Sequence, residues 1–528
     1  MRKAATGIII VATMLAGCAS PTAAPTVPPS QAVVEPTSTK VPTAPSPTAT
    51  PTQSATATST STPSATATPQ GPTELAYTVS VVDGAARTIH VLLQITGLAR
   101  SRPVLTFWTN AREWSGGWLD PWTNTANIQA TDSSGNSVPV SIVDDGIDWT
   151  GDGLLIEAQA GTSVTAEYDV VLGFLDRNFT GDREQLKAGY MNSDFAVAEP
   201  EFLLLAPADV ETGRYAMTLR FDLPEDQVSV SHWVRLAQHT YSIDAADKAF
   251  SNGAIAFGHI LSQEQTIGQT SVRAAAYGIA EATFAQIADY TFRLYRYYDA
   301  AVGPTSIPAF VVIYEPDVTD NRYLVPYNEN TGGFFMRYLP WDDAYWSGIS
   351  HGIAHNWLGG GMGGDFWFGE GFATYYQLKS CESIGVYPHS FVQAELAAKL
   401  ARYTTEILGT ENDLSLTVAE DRYGQDHGFP NDFLVYEKAS LVAYLLDLRI
   451  AELSEGQKSL DDVMAVLWSR YGPGTQEGSI CFAEVQAAVE QVTGQNFAGF
   501  FDTYLEGTRP LPLEVQQGEV VMTPNIAP

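Results

Sequence analysis

The sequence predicts a multidomain protein: an N-terminal antiparallel β-sandwich or saddle, a mixed α+β domain and a C-terminal α-helical region. Three observations carry this. Apolar and polar residues alternate from residue 73 to about 270, apolar residues recur three and four apart past about 430, and between them lies a helical stretch with two histidines, "SHGIAHNWLGG" at 350–360. A chain of 528 residues is long enough for two or three domains, each with its own core.

The N-terminus stands apart from these domains. Arg2 and Lys3 precede "GIIIVATMLAG", an apolar run too short to span a bilayer permanently, and it ends in Leu15-Ala16-Gly17-Cys18. This looks like a lipobox, in which residues 1–18 form the signal, the cut falls before the cysteine, and Cys18 carries lipid. The protein is therefore expected to be exported and tethered to the membrane on its extracytoplasmic side, at the cell surface or facing the periplasm. Residues 19–72 are almost wholly Pro, Thr, Ala, Ser and Val, without the aromatic and branched residues that offset ordering entropy, and read as a disordered stalk. No later segment offers about 18 consecutive apolar residues.

Charge narrows the partners. With 28 basic and 60 acidic residues the formal charge is −32, which repels phosphate backbones and excludes nucleic acid as a partner class. Beyond Cys18 there are two cysteines, Cys381 and Cys481, neither with metal-ligand spacing. Outside the cell they are free to form one disulfide, and the sequence leaves that open.

The domain boundaries follow the change in period. In 73–272, "LAYTVSVV", "TIHVLLQITGL", "VTAEYDVVLGF" and "YAMTLRFDL" alternate, separated by Gly, Asp, Asn and Pro, and predict the β domain. In 273–425, "ATFAQIADYTFRLYRYYDAAVG" has helical spacing, "IPAFVVIYEP" is a short buried strand, and 343–358 and 370–385 read as helices. In 426–513, "DFLVYEKASLVAYLLDLRIAEL", "SLDDVMAVLWSRYG" and "CFAEVQAAVEQVTG" predict helices, the last two with Gly at the end. Residues 514–528 read as a tail.

The chemistry concentrates in two adjoining segments. Positions four apart on a helix share a face, so His351 and His355 present two imidazoles together, half of a tetrahedral zinc site. After a glycine-rich turn, "DFWFGEGFATYYQLKS" places Glu370 at the start of a second helix, where its carboxylate can fold back as a third ligand. Two histidines and a glutamate, with an open fourth position, form the donor set of catalytic zinc. Tyr436, in "LVYEKASLVAYLLDL", supplies a phenol able to donate to an oxyanion.

These motifs resemble a known family. The β domain, H-x-x-x-H with Trp two residues on, W-x-x-E-G-F-x-x-Y-Y, and Y-x-K before a leucine-rich helix look like the gluzincin metallopeptidases. The glycyl aminopeptidase family is the nearest match and the alanyl aminopeptidase family the second; "NIQATDSSGNSVPV", "SLDDVMAVLW" and "VTGQNFAGFFDTYLEGTRPLPL" extend the likeness over roughly 75–513. The resemblance implies a thermolysin-like domain holding one zinc per chain through His351, His355 and Glu370. It also implies Tyr436 as oxyanion stabiliser and a peptide or protein as substrate or ligand.

Three departures matter. Gly352 stands where H-E-x-x-H has its glutamate base, a role worth ~10²–10⁴-fold. In "TGGFFMRY", Gly332 and Gly333 match a Gly-Gly motif whose following glutamate helps hold the substrate's amine, and Phe335 takes that glutamate's place. Only fourteen residues separate His355 from Glu370, and five of the first nine are glycine, which reshapes the floor of the cleft.

The expectation is a zinc-binding metallopeptidase-like protein of weak or absent turnover. The alternatives are an active zinc aminopeptidase using another base, from among Glu329, Asp342, Asp343 and Asp365, and a surface adhesion or scaffolding protein on a former peptidase fold. His427, in "GQDHGFP", is close enough in sequence to Tyr436 to approach the cleft, whereas His90, His232, His239 and His259 read as surface or core histidines. The aromatic residues of "DDAYWSGIS" and "DFWFGEGF" read as packing around the zinc helix.

Overall fold

The computed structural model describes residues 73–107, 121–144, 152–172, 189–207, 215–243, 253–316, 333–338, 345–424, 428–475 and 479–524. Cys18 and the stalk lie outside them, as do Glu329, Gly332, Asp342, Asp343 and His427.

The alternating segments form a sandwich. A seven-stranded sheet runs in the order Val234–Ala237, Thr240–Ile243, Tyr215–Asp222, Thr73–Asp83, Thr88–Thr96, Val164–Val171, Thr125–Asp132, antiparallel throughout except where Thr73–Asp83 meets Tyr215–Asp222. Every second residue of its central strands points inward: Leu75, Tyr77 and Val79, then Val91, Leu93 and Ile95, then Ala166, Tyr168 and Val170, all essentially without exposure. They meet Leu105, Phe107, Leu154, Ile156 and Leu205 of a four-stranded sheet in one core. The two buried phenols find partners across it: Tyr77 Oη donates to Leu205 O at 2.7 Å and Tyr168 Oη to Leu203 O at 3.1 Å.

A third sheet, in the order Val228–Ser231, Ile255–Gly258, Phe195–Ala198, Tyr190–Met191, joins this body to the next. Its apolar residues Phe195, Val197, Val230 and Ala256 pack on Ala275, Val311 and Ile313 of a central sheet. That sheet runs Leu261–Ile267, Thr270–Ala276, Ala309–Pro316, Gly333–Tyr338, and the expected domain boundary at 272/273 falls inside the second strand of its first hairpin. Alternation alone cannot tell which sheet a strand will join. Arg273 fastens the junction: it is almost wholly buried, and its Nη1 donates to Ser231 O at 2.7 Å and Trp233 O at 2.9 Å while Nη2 meets Glu264 at 3.2 Å.

Between the parallel strands Thr270–Ala276 and Ala309–Pro316 the chain crosses over through α1 (Glu281–Ala301), which covers the other face of the central sheet. Against it pack α2 (Tyr345–Ala354) and α3 (Phe366–Ser383), followed by α4 (His389–Arg402), α5 (Leu416–Tyr423), a π-helical stretch Phe433–Lys438 running into α6 (Ala439–Leu453), α7 (Leu460–Tyr471), α8 (Phe482–Thr493) and α9 (Ala498–Tyr504). Thus the architecture is multidomain and mixed, sheet-rich at the N-terminal side and helical at the C-terminal side.

Some boundaries differ from expectation. Helix α2 ends at Ala354 rather than 358, although His355 N still donates to His351 O at 3.3 Å, so the one-turn spacing of the histidines is kept. Helix α3 starts at Phe366 rather than 370, because the Glu420 carboxylate of α5 accepts from Phe366 N at 2.8 Å and Trp367 N at 3.0 Å and so satisfies its first amides. Glu370 therefore lies in the second turn. Within the expected tail, Leu513–Gln516 and Glu519–Met522 form a hairpin, held to the helices by Tyr444 Oη on Val520 O (2.7 Å) and Gln393 Oε1 on Val520 N (2.8 Å). Cys381 and Cys481 are free thiols, the first buried against Trp346 O and the second beside Glu484 at the start of α8. Among the described residues no helix is long and apolar enough to cross a membrane.

Candidate metal centre

Helix α2 and helix α3 lie side by side and bring His351, His355 and Glu370 together as a group able to hold a metal ion, all three largely buried. His351 Nε2 is 3.0 Å from His355 Nε2 and 3.1 Å from Glu370 Oε2, and His355 Nε2 is 3.5 Å from that same oxygen. Tetrahedral zinc, with Zn–N and Zn–O bonds near 2 Å, holds its ligand atoms about 3.3 Å apart. The three separations fit that size.

The hydrogen bonds behind the ligands fix which atoms face inward. His355 Nδ1 lies 3.0 Å from Leu358 O, a pure acceptor, so Nδ1 carries the proton and the Nε2 lone pair points at the centre. His351 Nδ1 is likewise 3.1 Å from Gln377 Oε1. Gln377 sits two helical turns after Glu370 on the same face of α3, a spacing visible in the sequence that the motif reading passed over. Burial pushes the His351 pKa down against the pull of Glu370. Burial also acts to raise the Glu370 pKa, but the facing His355 and the hydrogen bonds of both imidazoles outweigh it and hold the carboxyl well below the usual range. Two imidazole nitrogens and a carboxylate oxygen thus converge in the arrangement that a metal cation takes.

Tyr436 borders this group. Its ring faces that of His351, centroids 6.2 Å apart and planes 23° from parallel, and its hydroxyl is 3.0 Å from that of Tyr423 on α5. Tyr423 had no signal in the sequence; the register of α5 against the π-helical stretch brings it in. Phe366, at the start of α3, meets Tyr423 edge-on at 5.0 Å and is well exposed.

Gly352 is on α2 beside His351, and the ring of Phe334 fills the space in front of it: a Cβ added at 352 would stand 3.0 Å from Phe334 Cζ and 3.1 Å from Cε1. Gly333 is equally tight, its missing Cβ falling 2.6 Å from Val311 Cγ1 and 3.1 Å from His232 Cβ. Phe335 follows in the same edge strand, paired with Ile313. Asp365 precedes α3 as its N-cap residue, and its Oδ2 accepts from Trp367 Nε1 at 3.0 Å. Of the other histidines, His90 meets Asp169 at 2.8 Å, His239 meets Ser229 at 2.9 Å, His259 meets Asp226 at 3.2 Å, and His232 is buried near Ala254 O; none joins the group.

Neither a family model nor a curated protein matches the sequence. Solved structures do match. The chain is similar to an aminopeptidase N family protein from Idiomarina loihiensis at a TM-score of 0.65 and 16% identity, covering 84% of this chain and 79% of that one. It is also similar to an M1 zinc metallopeptidase from Deinococcus radiodurans (TM-score 0.46, 14% identity, 84% and 96% covered) and to native yeast LTA4 hydrolase (0.42, 12%, 83% and 68%). At these identities the likeness is one of fold. The fold is shared with that aminopeptidase N family protein, and the helical part of this chain holds a His/His/Glu group.

Proposed function

We propose that the protein is an exported metallopeptidase-like zinc centre of gluzincin type that holds one zinc per chain and has lost its general base. The observation that carries this is the convergence of His351 Nε2, His355 Nε2 and Glu370 Oε2 within 3.0–3.5 Å, beside a glycine where the base belongs. Bound there, zinc supplies Lewis-acid polarisation of a peptide carbonyl. Gln377 and the Leu358 carbonyl hold the imidazoles in the tautomer that presents Nε2, and the Tyr436 hydroxyl, kept in place by Tyr423, donates to a developing oxyanion. Nothing at 352 takes a proton.

The segments "NIQATDSSGNSVPV", "SLDDVMAVLW" and "VTGQNFAGFFDTYLEGTRPLPL" favour the glycyl aminopeptidase subtype on a thermolysin-like domain, and Phe335, after the Gly332-Gly333 pair, removes the carboxylate that would hold a substrate's amine. Leu15-Ala16-Gly17-Cys18 supports membrane attachment through Cys18, with the stalk holding the domains on the extracytoplasmic side and a peptide or protein as ligand.

Zinc per chain and cleavage of a peptide library test this together. The expected result is about one zinc and turnover at least ~10²-fold below the 1–10³ s⁻¹ typical of enzymes. Zinc-dependent cleavage at ordinary rates, abolished by Glu370→Ala, would mean that another group supplies the base.

A further inference from the structure

We infer that Phe334 occupies the space that a side chain at 352 needs, so that replacing Gly352 alone does not restore a peptidase; this rests on the reading of a zinc centre without a base. The obstruction begins at the first carbon. Real Cβ atoms rarely come closer than about 3.4 Å to a neighbour, and one at 352 would meet the Phe334 ring at 3.0 and 3.1 Å, before any carboxylate is added.

The ring cannot simply withdraw. Phe334 is 5% exposed, lies in the main helical core and meets Phe310 edge-on at 5.9 Å. Its strand is pinned on both sides. Phe334 pairs with Val312 in parallel register, and the preceding Gly333 already sits so close to Val311 and to His232 of the neighbouring sheet that it has no room for a methyl group. A retreat of the ring would press on Phe310 or pull on the strand where Gly333 already touches Val311 and His232. The pair is therefore self-consistent: glycine is tolerated in the last turn of α2 because the aromatic ring takes up the volume, and the ring is tolerated because the residue is glycine.

This makes Phe334 the residue that decides whether a side chain fits at 352. A glutamate at 352 needs the volume that Phe334 holds, and with the ring in place it has to be displaced off the histidine face of α2.

The test is a set of variants of the full chain, read by melting temperature, zinc content and cleavage of a peptide library. In a helix, Gly→Ala ordinarily stabilises. Here Gly352→Ala is expected to lower the melting temperature by about 2–4 °C with Phe334 present and to raise it in the Phe334→Ala background, a sign change that needs no activity. For activity, Gly352→Glu alone is expected to cleave no faster than the parent, and Phe334→Ala/Gly352→Glu, still holding zinc, at least ~10²-fold faster. Equal cleavage by Gly352→Glu with and without Phe334→Ala, or stabilisation by Gly352→Ala in both backgrounds, would overturn the inference. If the parent itself cleaves and Glu370→Ala abolishes it, the baseless-centre reading fails, while the melting cycle still reports on the contact.

Discussion

Helix α3 carries two buried charged clusters nine residues apart, and they are opposites. Around Lys379 the cation is part of the chain: its Nζ is 2.9 Å from Asp447 and 2.8 Å from Asp461, and the two carboxylates also accept from Tyr375 Oη and Tyr376 Oη. Around Glu370 its carboxylate oxygen and the Nε2 atoms of His351 and His355 converge within 3.0–3.5 Å, a set of donor atoms that a metal ion can take. The first arrangement is complete in itself and ties α3 to α6 and α7. The second is the donor set of a metal ion, which is why it reads as a binding site and the ion pair around Lys379 as framework.

The comparison is broken most strongly at Lys379. Lys379→Met leaves two carboxylates facing each other without a cation and is expected to cost about 3–5 kcal/mol, read as a large fall in melting temperature with zinc content per folded chain unchanged. The converse holds for Glu370→Ala: zinc is lost while the metal-free protein melts at or above the parent's temperature, since a buried carboxylate is gone. Removing zinc from the parent is the next largest effect. With free zinc at 1,000 times its Kd, binding adds about 4 kcal/mol, so a chelator should lower the melting temperature of the parent and leave Glu370→Ala unmoved.

A third buried cation sharpens the contrast by being poorly paired. Lys438 is wholly buried, donates to Leu414 O at 2.8 Å and reaches Asp413 only at 4.0 Å; burial pushes its pKa down to about 8 despite Asp413. Between pH 8 and about 10.5 the unfolded chain then holds the proton that the folded chain has released, so folding stability rises with pH through that window. The contribution is about 3 kcal/mol over the whole window, and Lys438→Met should flatten the parent's rise between pH 8 and 9.5, measured by denaturant titration. The smallest effect expected is at Gln377. Gln377→Ala frees the Nδ1 of His351 and should weaken zinc binding 10–100-fold without abolishing it.

What was legible in the sequence follows the same division. The sandwich strands and α1, α7 and α8 were readable because one face of each is buried and the other wet, which imprints a period of 2 or 3.6. Helix α3 was readable only in part: residues all round it are buried, so it has no polar stripe, and its starting cap is Glu420, fifty residues away. The ligands were legible because they obey helix spacing, His351 with His355 on one helix and Glu370 on the next. Tyr423 and the ring of Phe334 were not, because they arrive through packing between elements distant in sequence. The terminal hairpin was missed for a similar reason: it is held by Tyr444 and Gln393, not by a pattern of its own.

The central claim is that His351, His355 and Glu370 form a centre that needs a cation. Its most direct test is zinc per chain, by elemental analysis of the purified full chain beside Glu370→Ala after dialysis against a weak chelator. The account predicts about one zinc for the parent and close to none for the variant. Less than about 0.2 zinc in a correctly folded parent, or equal zinc in both, would contradict it.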